Sequence, residues 1–149
     1  IKKLKNGDYD AIILSYAGIK FLKFESEISE IFSPEEIIPS AGQGIIALQC
    51  REGDEEIISV LNKINHNETF MRAHIERNIL KVLEGDCETA VGAYSKIEAD
   101  KITVEAELFS LDGSKRYYEK KIGKSEDFNQ IGNEVGQILK TKSNNSYKR

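Results

Sequence analysis

One cysteine stands where the chain is expected to change from helix to sheet. Cys87 follows a long amphipathic stretch and precedes a β-rich one, so a tight turn should hold its thiol. Gly85 suits the left-handed residue that commonly closes a helix, because it has no Cβ to clash. The helix dipole and the acids Glu84, Asp86 and Glu88 should raise the pKa of the thiol. The pattern therefore favours one permanent covalent bond over a reactive thiolate nucleophile.

Two further stretches hold side chains that suit ligand binding. Lys20 follows Ala17 and Gly18 directly after an expected strand, and α/β proteins bind ligands at the ends of parallel strands. Gln43 stands between two glycines that permit close backbone approach, so its amide could meet a ligand. The structural alternatives are an exposed lysine at a helix start and an ordinary loop residue. A dinucleotide fingerprint is excluded, because neither a third glycine nor a helix follows in register.

The remaining titratable residues do not form a recognisable catalytic or metal-binding set. Two cysteines and two histidines without ligand spacing predict neither a disulfide framework nor a zinc site. Cys50, at the end of an expected strand, should be a core residue, and His66 and His74 should be structural. Three acids spaced eight residues apart on one helix are expected to form a surface stripe: Glu68, Glu76 and Glu84.

Composition limits the class of protein. The 149 residues are 40% hydrophobic and 31% charged, which is typical of a soluble globular chain. No apolar run approaches the roughly 18 residues of a membrane span. Interleaved charges with a net charge of −4 give no electrostatic footprint for nucleic acid. The cysteine usage predicts a reducing, cytoplasmic setting. The chain opens on Ile1 without a visible signal peptide, so we expect part of a longer protein.

The first half of the chain predicts an α/β arrangement. Residues 9–16 form a continuous apolar run that indicates a buried strand, and residues 45–51 form a second. Short helices are expected between them, within residues 19–31. Strand, helical crossover and strand together favour an α/β unit. A further helix should begin at Asp54 and end between residues 62 and 64.

The second half predicts an α+β domain. A helix over residues 68–83 should bury Ile75 and Ile79 and expose a charged face of Arg72, Glu76, Arg77 and Lys81. Three strands follow at residues 90–97, 102–111 and 115–122, joined by hairpin-sized connections. A last helix spans residues 125–139. The basic tail, residues 140–149, should be a frayed end.

Five stretches occur in an order typical of one enzyme family. They are Asp10-Ala-Ile-Ile-Leu14, Ala17-Gly18, Pro39-Ser-Ala-Gly42-Gln43-Gly44, the helix with Asn67-Glu68-Thr69, Arg72 and Glu76-Arg77, and Leu83-Glu84-Gly85-Asp86-Cys87. With these stretches the chain closely resembles porphobilinogen deaminase, also called hydroxymethylbilane synthase, over nearly its whole length.

The resemblance implies a fold class of α/β plus α+β. Residues 1–40 would be the C-terminal part of a second, periplasmic-binding-protein-like α/β domain. Residues 41–64 would cross back to a first domain that this sequence lacks. Residues 65–149 would form the third domain, in which a three-stranded antiparallel sheet packs on helices.

The resemblance also implies a chemistry. Cys87 would hold a dipyrromethane cofactor through a thioether formed once, in agreement with the expected pKa of its thiol. Four porphobilinogen molecules would be added head to tail with loss of ammonia, and hydroxymethylbilane would be released by hydrolysis. Gln43, the backbone of Ala17 and Gly18, and Lys20 would contact cofactor or substrate. The family's catalytic aspartate lies in an N-terminal portion absent here, so we expect the fragment to be inactive alone.

Two positions depart from the family pattern. Asp86 replaces the second of two glycines before the cysteine, and Phe21 replaces an arginine. The substrate-arm contact expected at Phe21 is either lost or taken over by Lys20 or Lys23. The expected partners are porphobilinogen and the missing N-terminal domains, with no nucleic acid or membrane, in a cytoplasmic monomer. The alternatives are a non-catalytic interaction module that reuses the third domain, and a thiol-redox protein, which the missing CxxC disfavours.

Overall fold

Residues 1–85 and 88–148 are described by a computed structural model and divide into two units, Ile1–Glu36 and Ile37–Arg149. Within those residues, none of the helices is long and apolar enough to cross a membrane. Cys87, predicted to hold the cofactor through a thioether, and Asp86, which departs from the family pattern, lie outside the described residues.

The first unit has short helices and no strand in the described structure. Helix α1 spans Lys2–Lys5, helix α2 spans Tyr16–Phe21, and a 3₁₀ turn spans Glu25–Glu27. The predicted short helices are therefore present, and Lys5 pairs with Glu27 at 2.6 Å.

The strand predicted at residues 9–16 is wrong in this structure. Residues 9–15 have no regular secondary structure, and the side chain of Ile13 is 76% exposed. An extended segment becomes a strand only when a neighbour satisfies its backbone N–H and C=O groups. Within the described part of the chain, no such neighbour pairs with this segment.

The second predicted strand, residues 45–51, fails for the same reason. This segment is irregular, and Ile46 is 88% exposed. Cys50, expected in the core, is only half-buried. The α/β unit built from these two strands is therefore not observed among the described residues.

Helix starts in the second unit follow the sequence closely. Helix α3 spans Glu55–Ile64, and the Asp54 carboxylate caps it by accepting a hydrogen bond from the Ile57 amide at 3.2 Å. Helix α4 spans Asn67–Leu83, and His66 Nδ1 accepts from the Thr69 amide at 3.3 Å. The predicted structural role of His66 is thus confirmed as a helix cap.

The predicted antiparallel sheet is confirmed. Its strands are β1 (Val91–Glu98), β2 (Lys101–Phe109) and β3 (Arg116–Lys124), in the order β1-β2-β3. Tight connections set the register, with Glu98 opposite Lys101 and Ala99 left-handed at φ 54°. A 3₁₀ turn at Ser125–Asp127 then leads into helix α5, Phe128–Ser143.

The core lies where α4 and α5 pack on each other and on one face of the sheet. A side chain on Gly132 of α5 would place its Cβ 2.2 Å from the Ile75 carbonyl oxygen of α4. The two helix backbones therefore touch at a position that only glycine fits. Alternate residues of β2 face this core and are fully buried: Ile102, Val104, Ala106 and Leu108.

The C-terminal segment is packed, so the prediction of a frayed tail is wrong. Helix α5 continues to Ser143, and Tyr147 is only 2% exposed. The Tyr147 hydroxyl donates to the Leu83 carbonyl at 3.0 Å. The Leu111 amide donates to the Ser146 carbonyl at 3.0 Å. A buried aromatic ring and two hydrogen bonds thus hold the segment on the domain.

Candidate functional site

Helix α4 ends immediately before the turn predicted to be functional. Glu84 adopts the left-handed conformation (φ 53°, ψ 36°) and forms the C-cap. The amide of Gly85 donates to the Leu80 carbonyl at 3.1 Å. The prediction that Gly85 is the left-handed residue is therefore wrong by one position. A non-glycine residue in this conformation is uncommon, so neighbouring contacts must hold Glu84 there.

Two lysines supply those contacts. The Glu84 carboxylate accepts hydrogen bonds from Lys148 and, at 3.3 Å, from Lys140. These hydrogen bonds, first from Lys148 and then from Lys140, hold the pKa of Glu84 below its usual value. The charge of Glu84 is thus compensated by two ammonium groups. Glu84 is one of the three acids expected to raise the pKa of the cysteine thiol. Its negative charge is balanced by two lysines that the sequence pattern did not identify as its partners.

An open groove of about 590 Å³ runs along α4 towards this cap. Its lining includes His74, Arg77 and Lys81, and it ends at Glu84 and Gly85. The exposed imidazole of His74 lies beside Phe70, with ring centroids 4.5 Å apart, and its structural role stays a prediction. Arg77 and Lys81 are exposed, as predicted.

The turn around Gln43 is stabilised by its own backbone. The Gln43 amide donates to Ser40 at 3.0 Å, and the Ile45 amide donates to Gly42 at 3.1 Å. Gly42 and Gly44 both have φ of 76°, and no atom lies within 4 Å of a Cβ built on either. Left-handed backbone, rather than close approach, therefore requires these glycines in this structure. The Gln43 side chain between them is exposed.

A buried carboxylate binds this turn. Glu76 of α4 is 2% exposed, and its Oε2 accepts from the Gly42 amide at 2.8 Å. Its Oε1 accepts from the Ser95 amide at 3.0 Å and from the Ser95 hydroxyl at 2.8 Å. The prediction that Glu76 belongs to a solvated surface stripe is wrong, because these three donors replace the water that it would bind outside.

Arg72 also leaves the predicted solvated face. It is half-buried, and its guanidinium carbon lies 5.3 Å from the centroid of the Tyr94 ring. Its Nε is buried and has no hydrogen-bond partner among the described residues.

The burial of Glu76 had a signal in the sequence. Glu76 precedes Ile79 by three residues and Leu83 by seven, so all three lie on one helical face. Both apolar residues are fully buried. A charged residue on the same helical face as buried apolar residues is better interpreted as a buried group that needs hydrogen-bond partners than as part of a solvated face.

The other predicted site residues lie in the first unit. Ala17, Gly18 and Lys20 share helix α2, and all three are exposed. Phe21, at the position of the departure from the family pattern, is 86% exposed. The structure therefore brings these three residues together on one short helix, whereas Gln43 belongs to the second unit. Among residues 1–85 and 88–148, no group of three or more His, Cys, Asp or Glu could hold a metal ion.

Comparison with known proteins gives matches over both parts of the chain. The family model described as "Porphobilinogen deaminase, dipyromethane cofactor binding domain" matches residues 1–59. The model described as "Porphobilinogen deaminase, C-terminal domain" matches residues 70–141. A curated porphobilinogen deaminase of Gloeobacter violaceus is 35% identical over 141 residues, which cover 94% of this chain and 43% of that relative. The chain thus spans less than half the length of that relative.

Proposed function

The chain belongs to the porphobilinogen deaminase family, and on that premise we propose that it forms part of a transferase of porphyrin and heme biosynthesis. The reaction would join four porphobilinogen molecules head to tail. Each condensation would bond the aminomethyl carbon of the incoming molecule to the free ring carbon of the preceding unit, with loss of ammonia and of the ring proton. Hydrolysis would release hydroxymethylbilane. The observation that supports this best is the match of two models of one family in chain order.

We propose that Cys87 holds a dipyrromethane cofactor through a thioether. When bound, this group supplies the pyrrole primer to which substrate is added. Two exposed side chains carry donors that fit its chemistry, because acetate and propionate arms need cations and amides. Lys20 offers an exposed ammonium group and Gln43 an exposed amide. Backbone groups of Ala17 and Gly18, on the same exposed helix as Lys20, would add further polar contacts.

The domain arrangement is also a proposal. Residues 1–40 would complete a periplasmic-binding-protein-like α/β domain, residues 41–64 would cross to another domain, and residues 65–149 would be the third domain. The apolar side chains exposed at residues 9–16 and 45–51 support this, since they suit strands whose partners lie in the rest of the protein. The catalytic carboxylate would lie there too, so the chain alone would be inactive.

We further propose that the whole enzyme is a cytoplasmic monomer. Two cysteines without disulfide spacing suit a reducing compartment.

Intact-mass analysis of the full-length protein tests the cofactor proposal. The parent protein and a Cys50→Ser control should both show the mass of a dipyrromethane adduct, and a Cys87→Ser variant should lack it. The parent should consume porphobilinogen, whereas this chain alone should not. An active full-length enzyme with an unmodified Cys87 would contradict the proposal that Cys87 holds the cofactor. A stable, unmodified and inactive full-length protein would instead favour a non-catalytic interaction module.

A further inference from the structure

A buried carboxylate of helix α4 accepts hydrogen bonds from two distant segments of the second unit. Glu76 is buried, accepts three hydrogen bonds, and has no cation within 4.0 Å among the described residues. Burial of an unpaired carboxylate is costly unless hydrogen bonds replace its hydration. The question is therefore what these three hydrogen bonds hold in place.

They join two segments that are far apart in sequence. Oε1 binds Ser95 on β1, and Oε2 binds Gly42, which lies 34 residues before Glu76. Each segment has a backbone N–H group that needs an acceptor there. Ser95 is on an edge strand of the sheet, and Gly42 lies in a turn. One carboxylate thus satisfies the open edge of the sheet and the turn together.

The residues before Gly42 are fixed to the same strand. The Ala93 amide donates to the Pro39 carbonyl at 2.9 Å. Ile38 is buried, and a Cβ on Gly92 would lie 2.8 Å from the Ile38 carbonyl oxygen. The chain is therefore held against β1 up to Gly42. The next residue, Gln43, has an exposed side chain directly after this attachment.

We propose that Glu76 is a positioning residue that fixes the Gly42 turn and thereby orients the Gln43 amide for its proposed contact with cofactor or substrate. This inference rests on the proposed function, in which Gln43 contacts cofactor or substrate. Glutamine in place of Glu76 would present an NH₂ group to one of the two amide donors, so it cannot accept from both Gly42 and Ser95. With the amide oxygen kept by the two Ser95 donors, the turn would lose its link to the helix. The substitution removes one negative charge and changes the side-chain volume little.

Amide hydrogen exchange in this chain tests the attachment itself. Glu76→Gln should accelerate exchange at Gly42 by about tenfold, the effect of losing one hydrogen bond. Exchange at Val104, in the centre of the sheet, should not change. Glu68→Gln is the matched control, because Glu68 is exposed on the same helix. Unchanged exchange at Gly42 in Glu76→Gln would overturn the proposal.

Kinetics of the full-length enzyme test the positioning role. Glu76→Gln should retain the adduct on Cys87 but lower kcat/KM for porphobilinogen by about tenfold. In a Gln43→Ala background the same substitution should cost little more, because it acts through Gln43. Ile131→Val, a core change of α5 distant in sequence from the turn, controls for lost stability and should keep parental activity.

Each outcome of these experiments decides a separate point. An adduct missing from the parent defeats the proposed function. An adduct with fully additive Glu76 and Gln43 effects, or an equal loss in Ile131→Val, defeats the positioning role alone. If Glu76→Gln does not fold, Ser95→Ala removes one of the three donors. It should lower kcat/KM by a smaller factor that again disappears in the Gln43→Ala background, and additivity there would also overturn the proposal.

Discussion

Residues 9–16 and strand β2 are both rich in apolar side chains, but only β2 forms part of a sheet. β2 pairs with β1 on one side and β3 on the other, and its inward side chains are fully buried. Residues 9–15 pair with no strand in the described part of the chain, and Ile13 and Leu14 are exposed. The difference teaches that an apolar run indicates a need for burial, whereas a strand also needs neighbours for its backbone hydrogen bonds.

The C-terminal tail shows the opposite case, a polar segment that is packed on the domain. The basic and polar tail, residues 140–149, was predicted to fray, yet Tyr147 within it is buried against the end of α4. Predictions from local composition were therefore wrong for both segments. They overestimated the burial of residues 9–16 and underestimated that of the tail, because tertiary structure sets the partners of each.

The largest test of this comparison uses one isoleucine from each region. Ile102→Ala should lower the free energy of unfolding by about 3 kcal/mol, because it leaves a cavity in the core. Ile13→Ala should change it by less than about 0.5 kcal/mol, since that side chain is already in water. Urea unfolding of both variants, followed by circular dichroism, measures the two values. Equal losses would contradict the contrast between the two segments.

A smaller effect is expected from a tyrosine hydroxyl in the tail. Tyr147→Phe should lower the free energy of unfolding by about 1–2 kcal/mol, because the buried Leu83 carbonyl loses its donor. Tyr9→Phe is the control, since Tyr9 is exposed in the first unit. Thermal unfolding compares the two variants. If Tyr147→Phe has the same melting temperature as the parent protein, the hydrogen bond from Tyr147 to Leu83 does not stabilise the tail as the structure indicates.

The smallest effect concerns the hairpin that brings β3 beside β2. Hydrogen bonds from the Ser110 hydroxyl and from the amide and hydroxyl of Ser114 lower the pKa of Asp112 from 3.8 to about 2. A lowered pKa stabilises the fold above the unfolded value, and this contribution is lost as pH falls from 3.8 towards 2. Asp112→Asn should therefore melt below the parent at pH 7, and the gap should close near pH 2. A gap that persists there would exclude ionisation as its cause.

Much of the second unit was predictable because its determinants are local. Asp54 and His66 cap helices at the expected positions, and helical periodicity identified Ile75 and Ile79 as core. The turn signal around Gly113 placed the second hairpin. These features depend on residues within a few positions of one another, so the sequence contains all the information they need.

The site was less predictable because its contacts are long-range. Glu76 reaches 34 residues back to Gly42, and Lys140 and Lys148 reach more than fifty residues back to Glu84. Helical register places Glu76 on the core face of α4, but no local pattern identifies the partners that a buried charge needs. The left-handed cap at Glu84 was missed for the same reason, since two lysines from the end of the chain stabilise it.

By itself, the sequence determined the existence of the three long helices and the three-stranded sheet of the second unit, the family to which the chain belongs, and the glycines that flank Gln43. Tertiary structure alone decided which apolar runs became strands, which partners the buried Glu76 carboxylate binds, and where the last described residues lie. The physical reason is that propensity and periodicity act over one or two turns of chain. Backbone pairing and the burial of polar groups depend instead on segments that only folding brings together.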